Sequence, residues 1–259
     1  MARIVVLGAS GFLGSHLCDE LVARGDEVVG VDDLSSSTGI NLKGLESDKR
    51  FTFLKGDIAE GIPVRGKVDA VLNFASPASP PRYLETPIQT LRTGSQGTDK
   101  ALQFALENNA RFIMASTSEI YGDPLEHPQT ESYWGNVNPV GVRSCYDEAK
   151  RFAESLTFAY QRERGTNTGI VRIFNTYGPR LDPTDGRVVS NFIMAALHNQ
   201  PLKIYGDGSQ TRSLCYVSDL VDGVLRLADS KISGPINLGN PNEMTVLQLA
   251  QRIIELTRS

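Results

Sequence analysis

The chain predicts an α/β fold: a doubly wound parallel sheet with a smaller C-terminal region set against it. Three observations carry that prediction. A short β-branched run, Arg3-Ile4-Val5-Val6-Leu7, passes straight into a glycine turn and then a helix marked by Leu13, Leu17 and Leu21 at four-residue spacing. A second strand, Val28-Val29-Gly30-Val31, follows and ends on Asp32. Strand-like and helical segments then alternate along most of the remaining chain, and right-handed βαβ units turn such an alternation into a parallel sheet.

The first turn is Gly8-Ala9-Ser10-Gly11-Phe12-Leu13-Gly14, spaced G-x-x-G-x-x-G, and its helix is expected to stop at Gly25. Glycines let the backbone approach a pyrophosphate at a helix N-terminus, where unpaired N–H groups and the helix dipole favour anions. Asp32, about 20 residues further on, stands where a ribose-binding acid belongs; it would repel a 2′-phosphate and so favour NAD over NADP. Its alternative role is a solvated turn residue beside Asp33. Together these features read as the opening of a Rossmann-type unit.

Further strands are expected at Phe51–Leu54, Ala70–Ala75, Arg111–Ala115 and Thr168–Phe174. Their carboxyl ends carry Gly56-Asp57-Ile58, Ala75-Ser76-Pro77, Ser116-Thr117-Ser118-Glu119 and Asn175-Thr176, and ligands of such sheets bind beyond those ends. Between the last two strands, Tyr146 and Lys150 lie one helical turn apart at the start of a helix running to about Arg164. On one face, the ammonium would favour a phenolate over a phenol of ordinary pKa about 10, making Tyr146 a general base near neutral pH. Any helix can place the two residues so; the surrounding motifs give the pair its weight.

After Pro179 the character changes. A helix is expected near Val188 to His198, a short strand at Leu202–Tyr205, a turn at Gly206–Ser209, a helix capped by Ser218 or Asp219, and a sheet strand at Pro235–Leu238. Thr245 and Gln248 form a capping box for a final helix running to the last residue. The expected division is a dinucleotide-binding domain over residues 1–177, rejoined by about 213–240, with 178–212 and 241–259 forming the substrate-binding region.

Composition excludes several classes. The net charge of −4 carries no basic run, so neither nucleic acid nor an anionic membrane surface is an expected partner. No apolar run reaches the roughly 20 residues of a membrane span, and Met1 leads into a strand without a signal-peptide pattern, so a cytoplasmic protein is expected. Cys18, Cys145 and Cys215 read as reduced thiols, and three scattered histidines support no metal site.

With the glycine loop, Asp32, Asp57, Thr117 and the Tyr146/Lys150 pair in order, the sequence resembles the extended short-chain dehydrogenase/reductases over essentially its whole length. Within them it is most similar to the UDP-glucuronate decarboxylase (UDP-xylose synthase) family, on the stretches Ala75–Pro81, Ala115–Pro124, Asp185–Phe192 and Gly208–Arg212. The resemblance implies NAD as cofactor, a UDP-sugar substrate and a homodimer built on the segments around Thr98–Glu107 and Phe152–Arg164. It implies Tyr146, Lys150, Thr117, Ser118 and Glu119 as catalytic residues. For the cofactor it implies Gly8, Gly11, Phe12, Leu13, Gly14, Asp32, Asp57, Ile58, Phe74, Ser76, Thr93 and Thr176 besides Tyr146 and Lys150. For the substrate it implies Pro77, Asn175, Arg187, Val188, Tyr205 and Arg212.

The implied reaction oxidises the sugar at C4, loses carbon dioxide from the resulting β-keto acid and reduces the ketone again, so that NAD is recycled. Ser118 stands where the related 4,6-dehydratases carry an acid, which disfavours dehydration. Glu119 would lie near the reacting sugar or satisfy turn amides, and Tyr205 would pack on uracil or fill a strand face. Two departures from the family pattern stand out: Gly94 replaces an asparagine, and the sequence stops at Ser259, before the family's R-K-P-D-like segment. A nucleotide-sugar 4-epimerase and a catalytically silent NAD- or nucleotide-sugar-binding module remain the alternative readings.

Overall fold

A computed structural model describes residues 1–259. The first half alternates as expected: β1 (Arg3–Leu7), α1 (Phe12–Ala23), β2 (Glu27–Asp32), β3 (Phe51–Lys55) and β4 (Ala70–Asn73). Two short helices, α2 (Pro80–Glu85) and α3 (Pro87–Arg92), lead through a π-helical turn at Thr93–Gly97 into α4 (Thr98–Asn108). Then come β5 (Arg111–Thr117), the long α5 (Ser144–Arg164), β6 (Thr168–Ile173) and the two-residue β7 (Thr176–Tyr177). The last third holds α6 (Val188–Leu197), β8 (Thr211–Ser213), β9 (Cys215–Tyr216), α7 (Val217–Asp229), β10 (Ile236–Leu238), β11 (Glu243–Thr245) and α8 (Val246–Thr257). No helix is long and apolar enough to cross a membrane.

Seven strands form one parallel sheet in the order β10-β6-β5-β4-β1-β2-β3. Alternation along each strand splits its side chains between two cores, as the two-residue period of a strand requires. Ile4, Val6, Val28, Leu72, Ile113 and Val171 face one layer with α1 and α7, while Val5, Leu7, Val29, Val31, Val71, Phe112 and Ile170 face α4 and α5 on the other. Strand order reverses between β1 and β4, and that switch point opens a crevice at the carboxyl ends where the glycine turn sits.

A third cluster packs α6 against α8 through Val189, Phe192, Val246, Leu249 and Ile253. Three expectations are corrected here. Leu202–Tyr205 is not a strand; Leu202 and Ile204 pack on the α6/α8 cluster without a hydrogen-bonding partner strand, and the edge pairing is made instead by β8 with β11, antiparallel. Neither Ser218 nor Asp219 caps α7; its N-cap is Tyr216, two residues before Ser218, and the buried Val217 opens the helix. The final helix does carry the Thr245/Gln248 capping box, but it closes at Thr257.

Candidate active site

The glycine turn is held by its neighbours. Gly8, at φ 79°, donates its N–H to the Val31 carbonyl at 2.8 Å, which fixes the turn across the end of β2. A Cβ on Gly8 would lie 2.7 Å from the Phe74 carbonyl, and one on Gly14 only 2.0 Å from the Gly8 oxygen. Glycine is therefore dictated by packing at both positions. Gly11 is the N-cap of α1 and offers no side chain, so the first-turn N–H groups face the crevice free of a side-chain cap.

Two clefts run from this turn and share Gly8, Gly11, Phe74 and Ser76 along their common rim. The smaller, about 150 Å³, is lined by Asp32, Asp57, Ile58, Pro77 and Thr93. Asp32 accepts the Ser10 N–H at 3.0 Å and the Leu34 N–H at 2.9 Å, while burial raises its pKa against those bonds. Asp57 accepts the Gln89 side-chain amide at 3.0 Å. An acid at the end of β2, glycines a side chain would obstruct and an open helix N-terminus form a cradle that fits a dinucleotide with a free 2′-hydroxyl.

The larger cleft, about 380 Å³, brings together Phe12, Leu13, Gly14, Thr117, Ser118, Glu119, Tyr146, Lys150, Asn175, Thr176, Arg187, Val188 and Arg212. Tyr146 and Lys150 are almost fully buried. The Lys150 ammonium donates to the Ala115 carbonyl at 2.9 Å and sits 5.9 Å from the Tyr146 ring centre. Burial lowers the Lys150 pKa to about 8. Burial also pushes Tyr146 up to about 12, with the Thr117 hydroxyl and the Arg187 guanidinium pulling down and Glu119 pushing up. The phenol is thus raised, not lowered as the Lys150 pairing led one to expect, because desolvation penalises the phenolate more than the Thr117 hydroxyl and the Arg187 guanidinium repay.

Tyr205 is not brought to either cleft. It is 70 % exposed, with the Lys203 ammonium 5.0 Å above its ring, and the failure of Leu202–Tyr205 to join a sheet is what leaves it outside. Arg187 reaches the cleft already held in a bidentate pair by buried Asp185 (2.5 and 2.7 Å). Gly94 lies against α5, where a Cβ would come 2.6 Å from the Ala149 Cβ, so a larger residue there would push away the helix that carries Lys150.

Three side chains near Tyr146 went unread in the sequence. Tyr83 on α2 stacks on the Tyr146 ring at 5.0 Å and 10°, its hydroxyl buried without a hydrogen-bond partner. Arg143 forms an ion pair with Glu119. Asp147 has its pKa raised to about 6, by burial first and by Glu119 second. Arg143 and Asp147 flank Tyr146 within three residues, a spacing that could have flagged them; Tyr83 comes from a distant helix with no periodic signal.

A model of the NAD dependent epimerase/dehydratase family matches residues 4–239. The chain is 51% identical over 254 residues to UDP-glucuronic acid decarboxylase 1 of Arabidopsis thaliana, covering 98% of this chain and 58% of that one. It therefore spans less than two thirds of that relative's length. Among solved structures, UDP-N-acetylglucosamine 4-epimerase from Methanobrevibacter ruminantium M1, in complex with UDP-N-acetylmuramic acid, superposes with a TM-score of 0.91 at 29% identity, over 100% of this chain and 83% of that one. UDP-glucuronic acid 4-epimerase from Bacillus cereus, in complex with NAD, gives 0.87 at 27% identity, over 99% and 83%. Since the family match runs from β1 to the far edge strand β10, through every strand whose end borders the two clefts, the chain belongs to the NAD dependent epimerase/dehydratase family.

Proposed function

We propose that this chain decarboxylates UDP-glucuronate to UDP-xylose through a 4-keto sugar, with NAD regenerated in each cycle. The observation that carries it is the meeting of Thr117, Ser118, Glu119, Tyr146 and Lys150 in one cleft that opens onto the glycine turn. The 51% identity to a UDP-glucuronic acid decarboxylase supports this reaction among those such a cleft can run. Gly8, Gly11, Gly14 and Asp32 would hold the pyrophosphate and ribose of NAD, with Asp57, Ile58, Phe74, Ser76, Thr93 and Thr176 along its length. When bound, NAD supplies the hydride acceptor for the sugar C4, a positive charge beside it, and the hydride that is later returned.

The protein's part is proton handling and charge. Tyr146 takes the C4 hydroxyl proton, its phenolate favoured by Lys150 and Arg187, and Thr117 hydrogen-bonds the same oxygen. The C5 carboxylate is then β to a ketone: its bond to C5 breaks, carbon dioxide leaves, and the electron pair becomes an enolate whose oxygen the Thr117 and Tyr146 hydroxyls stabilise. C5 gains a proton drawn from solvent, and Tyr146 returns its own proton to the C4 oxygen as the alcohol re-forms. A phenol of high pKa suits that return. Ser118 cannot deliver the proton that expels a C6 hydroxyl from a nucleotide hexose, so 4,6-dehydration of such a sugar is not expected of this site. Asn175, Arg187 and Arg212 would face the UDP diphosphate, guanidinium suiting phosphate by bidentate bonding.

The test is incubation of the purified protein with UDP-glucuronate and catalytic NAD, following carbon dioxide and the nucleotide sugar by NMR. UDP-xylose with carbon dioxide and no net NADH is expected. UDP-galacturonate without carbon dioxide would replace the reading with a 4-epimerase, and bound NAD without turnover would replace it with a binding module. The same reading makes the protein a homodimer through α4 and α5, where Leu106 and half-exposed Phe152 leave apolar surface uncovered; a monomer in sedimentation at micromolar concentration would refute it. It also places the protein in the cytoplasm, and recovery in a membrane pellet after fractionation would count against that.

A further inference from the structure

β5 is anchored unevenly, and the uneven part carries the site. Its first four residues, Arg111–Met114, pair with β4 on one side, but β4 stops at Asn73. Ala115, Ser116 and Thr117 overhang and keep only β6 as a backbone neighbour. The helix α5 takes over the missing side, in step with the strand. Lys150 donates to the Ala115 carbonyl at 2.9 Å, and one turn later Glu154 accepts the Ser116 hydroxyl at 2.5 Å.

Glu154 is itself fixed. Arg172, the β6 partner of Ser116, holds its carboxylate through two bonds of 3.0 and 2.8 Å, and both residues are 8 % exposed. The remaining Arg172 amine donates to the Tyr121 hydroxyl and to the Glu131 carbonyl, both at 2.9 Å, and Tyr121 passes a hydrogen bond to Asn237 at 2.7 Å. Burying such a pair costs desolvation, and well-packed apolar residues of similar volume would often serve stability as well or better. Its use beneath the end of β5 points to geometry.

Resting on the decarboxylase reading above, we infer that Ser116, Glu154 and Arg172 are positioning residues that hold the overhanging end of β5, and hence Thr117, at a set distance from Tyr146. The three touch the reacting sugar only through Thr117. The Ser116 hydroxyl is the side-chain link from the overhang to the Arg172–Glu154 pair, beside the backbone ladder to β6. Its removal leaves that pair intact, so strand placement can change without loss of the fold.

Ser116→Ala in the full chain tests this. A displacement on the ångström scale at a reacting centre can cost up to about a hundredfold, so a drop of roughly tenfold in kcat is expected. KM for UDP-glucuronate and the melting temperature should stay near those of the unsubstituted protein. Amide exchange over residues 115–119 should quicken while exchange over 1–32 does not. An unchanged kcat, or a kcat that falls only in step with melting temperature, overturns the inference. If the unsubstituted chain forms no UDP-xylose, the activity reading falls on its own; exchange over 115–119 then decides, faster exchange in Ser116→Ala upholding the inference and unchanged exchange sinking it.

Discussion

Tyr146 and Lys150 are both driven toward their neutral forms by burial, in opposite directions on the pH scale, and this sets the pH behaviour expected of the site. A lysine whose pKa falls to about 8 loses its charge as pH rises through that value. On the proposed mechanism that charge favours the phenolate, so kcat/KM should fall between roughly pH 7 and 9, and a flat profile across that range would remove Lys150 from the chemistry. The stability sign is the reverse. Above about pH 8 the folded chain has released this proton while the unfolded chain still holds it, so the Lys150 contribution rises with pH up to the ordinary lysine value of 10.5. A melting temperature that drops together with activity would therefore assign the alkaline limb to unfolding. Tyr146→Phe should keep the fold and the bound dinucleotide yet lose about 10²- to 10⁴-fold in turnover; turnover within a few-fold of the unsubstituted chain would exclude it as the base.

At the scale of elements, the decisive contact is α1 against the turn that starts it. Gly14 lies in the first turn of the helix, where an added Cβ would fall on the Gly8 carbonyl, so Gly14→Ala must push α1 away from β1. Overpacking of this kind costs about 1–3 kcal/mol, and it displaces the same N–H groups that would meet a pyrophosphate. A fall in melting temperature with a large loss of NAD affinity by titration calorimetry is the expected result; unaltered affinity would show that the turn does not carry the anion. Gly25→Ala makes the contrast. Nothing lies within 4 Å of its added Cβ, so only the strain of φ 90° is felt, and NAD affinity should hold.

Over the whole molecule, the two clefts meet along the rim of the topological switch point, so one extended ligand can occupy both and touch β1, β2, β4, β5, α1 and α5 together. A ligand that binds the folded chain alone stabilises it by mass action. NAD at about 100 times its Kd should add about 2.7 kcal/mol, or roughly 5–10 °C in melting temperature for a chain of this size. NADP at equal concentration should add much less if Asp32, which lines the smaller cleft, meets the ribose as proposed. Equal shifts from both would refute the role given to that carboxylate.

Much of this was legible in the residues themselves. Local spacing specifies the glycine turn, the helix from Ser144 to Arg164 and the Thr245 capping box, because each depends on neighbours within a few positions. The strands of the sheet were readable for the same reason, each being a short β-branched run between turn residues. What the spacing could not carry was decided by long-range packing. Leu202–Tyr205 has a strand's composition but finds no partner, which leaves Tyr205 in solvent. Tyr83 reaches the Tyr146 ring from 63 positions away, and the Ser116–Glu154–Arg172 network spans β5, α5 and β6. Even the sign of the Tyr146 shift was a tertiary matter: the Tyr146/Lys150 spacing is written in the sequence, but the desolvation that raises the phenol exists only once the helix is packed against the sheet.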